Sequence, residues 1–311
     1  MTYPTSIPPL PQATIHEPFD LRTLLRSFPG GIVGGPPQVV PYRRRIRLKG
    51  HPPARDVSAV DPLTIRGACD GIVRRMLLST DPRPITIEYV AAAVLRLDEH
   101  CRIAEGAVVE EHLFLAGSHL DQGLLQSKNE LMGMPFIELD GESPQAVAAD
   151  AHTAVDSYRR QLEERVVRQA STSSGPILLD GSVRHLTGLP GPVVGVVKDV
   201  TTQFLGDESS LNPDELPVGW CSQAFLIPAD SRRQTEVVSA YVRVQQASKG
   251  SMDGLMRIEV PAQSHELLHP LASLVCRSVR PPTSTDARIQ VQQVVHVEDI
   301  LRTRSPQIWS R

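Results

Sequence analysis

The sequence predicts an α/β domain built on a mixed β-sheet with helices packed against it. Apolar runs of strand length recur between residues 63 and 260, and several of them lead into an Asp-Gly turn dipeptide. One long amphipathic segment, residues 143–169, separates the first group of these runs from the second. This order, strands followed by a long helix and then by further strands and helices, is typical of an α/β domain.

The length and composition are those of a soluble globular protein. The chain has 311 residues, of which 41% are hydrophobic and 22% charged, and this length suits one large domain or two ordinary ones. The formal net charge of -3 argues against a basic coat for nucleic acid and leaves a local basic groove open. Aromatic residues make up only 4%, which argues against base stacking as the main binding device. No point divides residues 56–311 into two domains.

Cysteine spacing and hydropathy indicate the compartment. The four cysteines lie far apart with no CxxC pair, so reduced, buried thiols are predicted in place of disulfides or structural zinc. No apolar run approaches the ~18 residues of a membrane span. Residues 1–10 lack a basic segment followed by an apolar one, the pattern of a secretory signal. We predict a cytoplasmic protein without a membrane segment.

Residues 1–55 form a proline-rich extension. Their prolines remove backbone donors and block helix formation, except over residues 19–28, where leucines and phenylalanines recur at helical spacing. This short amphipathic segment either packs on its own domain or serves as a docking arm for a partner. A basic run at residues 43–49 is either a solvated face or a contact to a phosphate backbone.

The elements after residue 55 are predicted from apolar runs that end at turn residues. Strands are predicted at residues 63–72, 85–97, 101–116, 135–139, 177–180, 191–198, 222–227, 237–244 and 255–260. Helices are predicted at residues 120–132, 143–169, 263–275 and 291–302, and a helix is also the alternative after residue 105. Residues 199–217 have the polar composition of a loop.

The segment 143–169 is the strongest helix prediction. Ser143 is a favourable N-cap and Pro144 suits the first turn. Apolar side chains recur at i, i+3 and i+4 and form one stripe. The stripe comprises Val147, Ala151, Ala154, Val155, Tyr158, Leu162 and Val166.

Three acidic positions point to a metal site. Asp180 ends the buried strand after the long helix, although Asp-Gly by itself is as typical of a plain turn. Asp70 is predicted to end the first strand, and Glu163 or Glu164 lies near the end of the helix. Three converging carboxylates repel one another unless cations lie between them, so the arrangement predicts Mg²⁺ or Mn²⁺.

The chemistry that such a site supports is phosphodiester cleavage. Two divalent ions activate a water molecule and stabilise the leaving oxygen. Lys198, at the end of the strand that follows Asp180, is either an ordinary strand-end lysine or a point charge for the scissile phosphate. Periodicity does not choose between Glu163 and Glu164, because both fall off the centre of the apolar stripe on opposite flanks.

Three segments in one order resemble a known family. ILLDGS at residues 177–182, VVGVVKD at residues 193–199 and LMRIEVP at residues 255–261 resemble the NurA family of DNA-end-processing nucleases. The resemblance covers about residues 60–300. It implies a ribonuclease H-like fold, a mixed sheet flanked by helices, and the use of Mn²⁺ or Mg²⁺. It also implies a homodimer that works beside the hexameric HerA ATPase, a DNA translocase.

The resemblance implies roles for particular residues. Asp180 is a metal ligand, Glu164 or Glu163 is another, and Lys198 lies at the active site. The family opens its fold with a strand ending in a Val-Asp-Gly-Ser-like turn, for which Asp70 in the segment ACDGI is the best match, without the serine. Segments at residues 59–62 and 115–118 are rival matches, and the second of them lacks the aspartate.

The family also carries an acidic residue or a histidine in its last helix. The corresponding segment here offers Gln292, His296 and Asp299, and His296 is the residue chosen. The catalytic set predicted from sequence is therefore Asp70, Glu164, Glu163, Asp180, Lys198 and His296, with Asp70, Glu164 and Asp180 as metal ligands.

The sequence supports three hypotheses about function. The first is a metal-dependent DNA nuclease that acts with a HerA-like hexameric ATPase in DNA end resection or in defence against foreign DNA. The second is a catalytically silent NurA-like subunit that guides DNA for its partner, which the missing serine after Asp70 favours. The third is another ribonuclease H-like nuclease, for example an Argonaute-type PIWI module, and the low aromatic and basic content disfavours the guide-strand binding that such a module requires.

Overall fold

The computed structural model describes residues 54–79, 85–100, 102–104, 106–118, 136–139, 144–171, 175–198, 215–229, 235–246, 254–280 and 290–305. Over these ranges the chain forms one eleven-stranded mixed sheet and a separate two-stranded ribbon. The sheet strands are β1 (Arg55–Asp56), β2 (Gly67–Ser79), β3 (Ile85–Arg96), β4 (Val108–Ser118), β5 (Phe136–Leu139), β6 (Ile177–Asp180), β7 (Val193–Val197), β8 (Trp220–Cys221), β9 (Phe225–Ile227), β10 (Val237–Arg243) and β11 (Leu255–Pro261). The ribbon pairs β12 (Val279–Arg280) with β13 (Gln290–Val291).

Three α-helices accompany the sheet within the described ranges. They are α1 (Pro144–Ala170), α2 (Leu268–Ser278) and α3 (Gln292–Arg304), and short 3₁₀ turns lie at Val183–His185 and Ala262–Leu267. None of the helices in the described ranges has an apolar stretch long enough to span a bilayer.

The centre of the sheet has a ribonuclease H-like arrangement. Strands β2, β3 and β4 form an antiparallel meander, the chain then passes through α1, and β6 joins β2 in parallel with β7 beyond it. The full order is β1-β8-β10-β11-β7-β6-β2-β3-β4-β5, with β9 paired to β10. The fold class predicted from the sequence, a mixed sheet flanked by helices, is confirmed.

The two faces of the sheet carry separate hydrophobic cores. Under α1 the core includes the buried helix residues Val155, Tyr158, Leu162 and Val166, so these four members of the predicted apolar stripe lie on the surface that the helix buries. The opposite core contains residues of α2 and α3, such as Leu271. We call these two surfaces the α1 face and the α3 face.

Strand β2 corrects one prediction. The first strand was expected to end at Asp70, but β2 has 13 residues and continues to Ser79. Gly71 does not turn, because it pairs with Ala92 in an antiparallel ladder with the apolar strand β3 that is regular from Gly67 to Leu77. The local turn preference of Asp-Gly is thus overridden by pairing with a buried strand. Asp70 consequently lies in the interior of its strand.

Other predictions have mixed outcomes. The strand alternative after residue 105 is right and the helix alternative is wrong, since β4 occupies this segment. The segment predicted as one strand at 222–227 contains only β9, because β8 ends before it. The predicted helix at 263–275 begins as a 3₁₀ turn and becomes α-helical at Leu268. The docking arm at residues 19–28, the basic run at 43–49 and the predicted helix at 120–132 lie outside the described residues.

Candidate metal centre

The parallel pairing of β2 with β6 brings Asp70 and Asp180 together. Cys69 lies opposite Leu179 in this ladder, so the next residue on each strand is an aspartate. Successive side chains of a strand point to opposite faces, and both aspartates therefore share the face of Ala68 and Leu178, two residues of the core under α3. Strand β6 ends at Asp180, whereas β2 continues beyond Asp70 to Ser79.

Helix α3 contributes a third carboxylate, that of Glu298. One potential ligand atom from each of Asp70, Asp180 and Glu298 lies within 4.8 Å of the others. We call these three residues the carboxylate cluster. Glu298 is 5% exposed and follows Val294 by one helical turn, and Val294 and Val297 are fully buried against the sheet. The same face that anchors α3 therefore carries Glu298 to the two aspartates.

The electrostatics of the carboxylate cluster favour a cation. Burial raises the pKa of the Asp70 carboxyl well above its ordinary value, the negative charges of Asp180 and Glu163 raise it further, and Lys198 lowers it. Two basic side chains reach the cluster. Lys198 Nζ lies 2.5 Å from Asp180 Oδ2, and Arg302 Nη2 lies 3.1 Å from Glu298 Oε2.

The donor set of the cluster fits a hard divalent ion. Its ligand atoms are carboxylate oxygens, which Mg²⁺ and Mn²⁺ prefer. Three buried or half-buried acids at this separation are mutually repulsive, and a divalent ion between them removes that repulsion. The cluster can therefore bind a metal ion.

Glu163 lies next to the cluster on the other face of the sheet. It is 1% exposed, forms an ion pair with Arg159 one turn earlier in α1, and its Oε2 lies 3.2 Å from Nε2 of His185. Its carboxylate packs over Gly71, where an added Cβ would lie 2.6 Å from Glu163 Oε1. The glycine thus gives the helix carboxylate close access to the strand beside Asp70.

Glu164 has a different environment. Its side chain is 31% exposed and pairs with Arg168 at 2.7 Å on the outer surface of α1. The structure therefore brings Glu163 close to the aspartates and directs Glu164 away from them. The difference follows from helix geometry, because adjacent residues point about 100° apart.

His296 lies outside the carboxylate cluster. It precedes Glu298 by two residues on α3, which places the two side chains about 200° apart around the helix axis. Gln292 and Asp299 are exposed on the same helix. Sequence reasoning missed Glu298, although its spacing from Val294 and Leu301 marked the buried side of the helix.

Comparison with known proteins gives structural likenesses alone. No family model and no curated protein sequence matches the chain. A NurA nuclease from Sulfolobus solfataricus is similar at a TM-score of 0.43 with 8% identity, over 80% of this chain and 81% of that one. An endonuclease V from Bacillus subtilis is similar at a TM-score of 0.32 with 11% identity, over 82% and 86% of the two chains. Likenesses at these TM-scores and identities do not establish a function for this chain. The inference of function therefore depends on the carboxylate cluster.

Proposed function

We propose that this chain is a divalent-metal-dependent nuclease that hydrolyses DNA phosphodiester bonds. The observation that carries the proposal is the convergence of Asp70, Asp180 and Glu298 within 4.8 Å, with Lys198 beside them. Buried acids at this spacing are costly to the fold, and such arrangements concentrate at functional sites.

Each residue of the site has a proposed role. Asp70, Asp180 and Glu298 hold Mn²⁺ or Mg²⁺, and the number of ions, two in the sequence-based prediction, is part of the proposal. When bound, the metal supplies an activated water and Lewis-acid stabilisation of the phosphate. Lys198 neutralises a phosphate oxygen as its ammonium now neutralises Asp180. Of the two helix glutamates, Glu163 is the one that we expect to act on the site, from the α1 face and through its buried negative charge beside Asp70.

DNA and a protein partner complete the proposal. The three sequence segments shared with the NurA family support DNA as substrate, a homodimer, and a HerA-like hexameric ATPase as partner. The role would then lie in DNA end resection or in defence against phage DNA. Residues 19–28 of the proline-rich extension are the proposed docking arm, and deletion of residues 1–30 should abolish complex formation while leaving the fold intact.

The test is cleavage of linear DNA with Mn²⁺ by the parent protein and by Asp180→Ala. Activity should fall by at least about 10³-fold, because one ligand of the cluster is lost. Asp299→Ala is the matched control, since Asp299 is an exposed aspartate next to Glu298 on α3. Undiminished cleavage by Asp180→Ala would show that the site is elsewhere.

A catalytically silent subunit is the second candidate. The contact between Lys198 and Asp180 favours it, because an ammonium group at 2.5 Å already compensates one carboxylate of the cluster. Calorimetric titration with Mn²⁺ separates the two proposals. A silent subunit shows no tight site, whereas the nuclease binds Mn²⁺ and loses that binding in Asp180→Ala.

A further inference from the structure

The turn that follows Asp180 is held by a carboxylate from a strand two positions away in the sheet. Glu259 of β11 is fully buried, and its Oε2 accepts hydrogen bonds from Ser182 Oγ at 2.7 Å and from the Val183 backbone N–H at 3.2 Å. Its Oε1 accepts from Arg257 Nη2 at 2.8 Å. This set of contacts, centred on Glu259, is here called the turn clamp.

The contact between Glu259 and the turn depends on Gly195 of the intervening strand β7. Glu259 lies opposite Gly195 in the ladder, and Gly195 lies opposite Leu179 of β6. A Cβ at residue 195 would lie 2.5 Å from the Gly181 carbonyl oxygen and 3.0 Å from Val183 Cγ1. The absence of a side chain at this position lets the turn fold back against β7.

The backbone of the turn is also bound to β7. The Gly181 N–H donates to Val196 O at 2.9 Å, and Gly181 has a φ of 130°, which L side chains rarely adopt. The residue directly after Asp180 is thus bound to β7, and the two residues after that are bound to Glu259. The direction in which the chain leaves β6 after Asp180 is therefore set by groups on β7 and β11.

A buried carboxylate destabilises the fold unless its charge is compensated. Desolvation of the charge is unfavourable before its partners compensate it, and an apolar contact in the same place would not require that desolvation. The charge-assisted bonds give the turn one fixed geometry instead. Metal sites need such support, because a ligand that hydrogen bonds from its surroundings do not hold in place binds the metal ion more weakly.

We propose that Glu259, acting through Ser182 and Val183, is a positioning residue that orients Asp180 for metal binding. This inference rests on the proposed function of the carboxylate cluster. It gives a role to the glutamate of LMRIEVP and to the serine of ILLDGS, the two segments in which the clamp residues lie.

Two variants remove the clamp in different ways. Ser182→Ala deletes one donor to Glu259 and the acceptor of the Arg184 N–H, and leaves the bond between Glu259 and Arg257 in place. Glu259→Gln keeps the shape but replaces one accepting oxygen by an NH₂ group, so either the turn or Arg257 loses its acceptor. Ser182→Thr retains the hydroxyl and should restore the behaviour of the parent protein.

Ser273→Ala is the control. Ser273 of α2 is buried, and its hydroxyl donates to Val60 O at 2.6 Å. Its helix contributes to the core of the α3 face, whereas Val183 of the turn belongs to the core of the α1 face. Loss of a buried serine hydroxyl is therefore common to Ser182→Ala and Ser273→Ala, and loss of a contact in the turn clamp is not.

The experiment measures amide hydrogen exchange at Gly181 and Val183 without metal, and Mn²⁺ affinity by calorimetry. In Ser182→Ala and Glu259→Gln both amides should exchange at least about tenfold faster, and Mn²⁺ affinity should fall about 10–100-fold. In Ser273→Ala both quantities should match the parent. Unchanged exchange at the turn overturns the clamp, and faster exchange with parental Mn²⁺ affinity overturns the positioning role.

The two readouts separate this inference from the proposed function. If the parent protein binds no Mn²⁺, the proposed function fails, and the positioning role fails with it. If the parent binds Mn²⁺ and the clamp variants bind it equally well, only the positioning role fails.

Discussion

Lys198 and Asp180 lie at the ends of two neighbouring parallel strands, with Lys198 Nζ 2.5 Å from Asp180 Oδ2. Their side chains are 11% and 14% exposed, so the contact is partly shielded from water. The ammonium group therefore occupies space beside the carboxylate cluster that a divalent cation also favours. We expect a divalent ion and Lys198 to compete for the Asp180 carboxylate, and this competition is measurable.

Lys198→Met should bind Mn²⁺ more tightly and cleave DNA more slowly. Loss of the ammonium removes repulsion toward the metal, so affinity should rise about tenfold, equal to about 1.4 kcal/mol. Cleavage should fall about 10²-fold, because the charge proposed for the phosphate is gone. Calorimetry and a cleavage assay measure the two effects, with Arg168→Met as a control on the surface of α1. Weaker Mn²⁺ binding in Lys198→Met would contradict competition.

Asp70→Asn should stabilise the metal-free protein and abolish stabilisation by Mn²⁺. Burial raises the pKa of Asp70 above its ordinary value of 3.8, so its ionisation destabilises the native state as the pH rises from 3.8 through the raised pKa. Asparagine lacks this ionisation. The free energy of unfolding should therefore increase on the order of 1–2 kcal/mol at neutral pH, and the difference should shrink at acid pH.

Denaturant unfolding at several pH values, with and without Mn²⁺, checks the Asp70 prediction. The parent protein should gain stability with increasing Mn²⁺, whereas Asp70→Asn should not. Asp299→Asn serves as control, since this exposed carboxylate lies outside the cluster. A variant that is less stable than the parent at neutral pH would mean that the Asp70 charge is well compensated.

Glu298→Gln should lose cleavage and Mn²⁺ binding, and His296→Ala should keep both. Glu298 belongs to the carboxylate cluster, whereas His296 points to another side of α3. We expect at least about a 10²-fold loss of cleavage for Glu298→Gln and less than a twofold change for His296→Ala. The opposite result would support His296, the residue predicted from the sequence, as the catalytic residue of α3.

Glu163→Gln and Glu164→Gln form a pair of matched variants on one helix. Glu163 is buried beside Asp70 in an ion pair with Arg159, so its replacement should reduce cleavage at least about tenfold and lower stability by about 1–3 kcal/mol. Glu164 forms a partly exposed pair with Arg168, and its replacement should change stability by less than about 0.5 kcal/mol. Steady-state cleavage and urea unfolding measure both, and equal activity losses would contradict the assignment of Glu163.

Local patterns predicted the elements whose sequences carry one clear signal. The proline and the apolar stripe of α1 and the apolar runs of β3, β6, β10 and β11 are examples, whereas the predicted cap Ser143 lies outside the described residues. The end of β2 was predicted wrongly because Asp-Gly is a turn signal only when no neighbouring strand supplies a ladder. Gly71 has that neighbour in β3, and no property of residues 70–71 alone discloses it.

The sequence by itself determined the fold class and the long helix, and it identified Asp70 and Asp180 as a pair of candidate metal ligands. These features depend on periodicity and on short motifs. Only the tertiary structure decided which helix completes the carboxylate cluster. Glu163 precedes Asp180 closely in sequence but lies on the α1 face, and Glu298 is distant in sequence but lies on the α3 face with both aspartates. The physical reason is the pleat of the strands, which directs alternate side chains to opposite faces. Only the helix packed on the face shared by the two aspartates can bring its carboxylate between them.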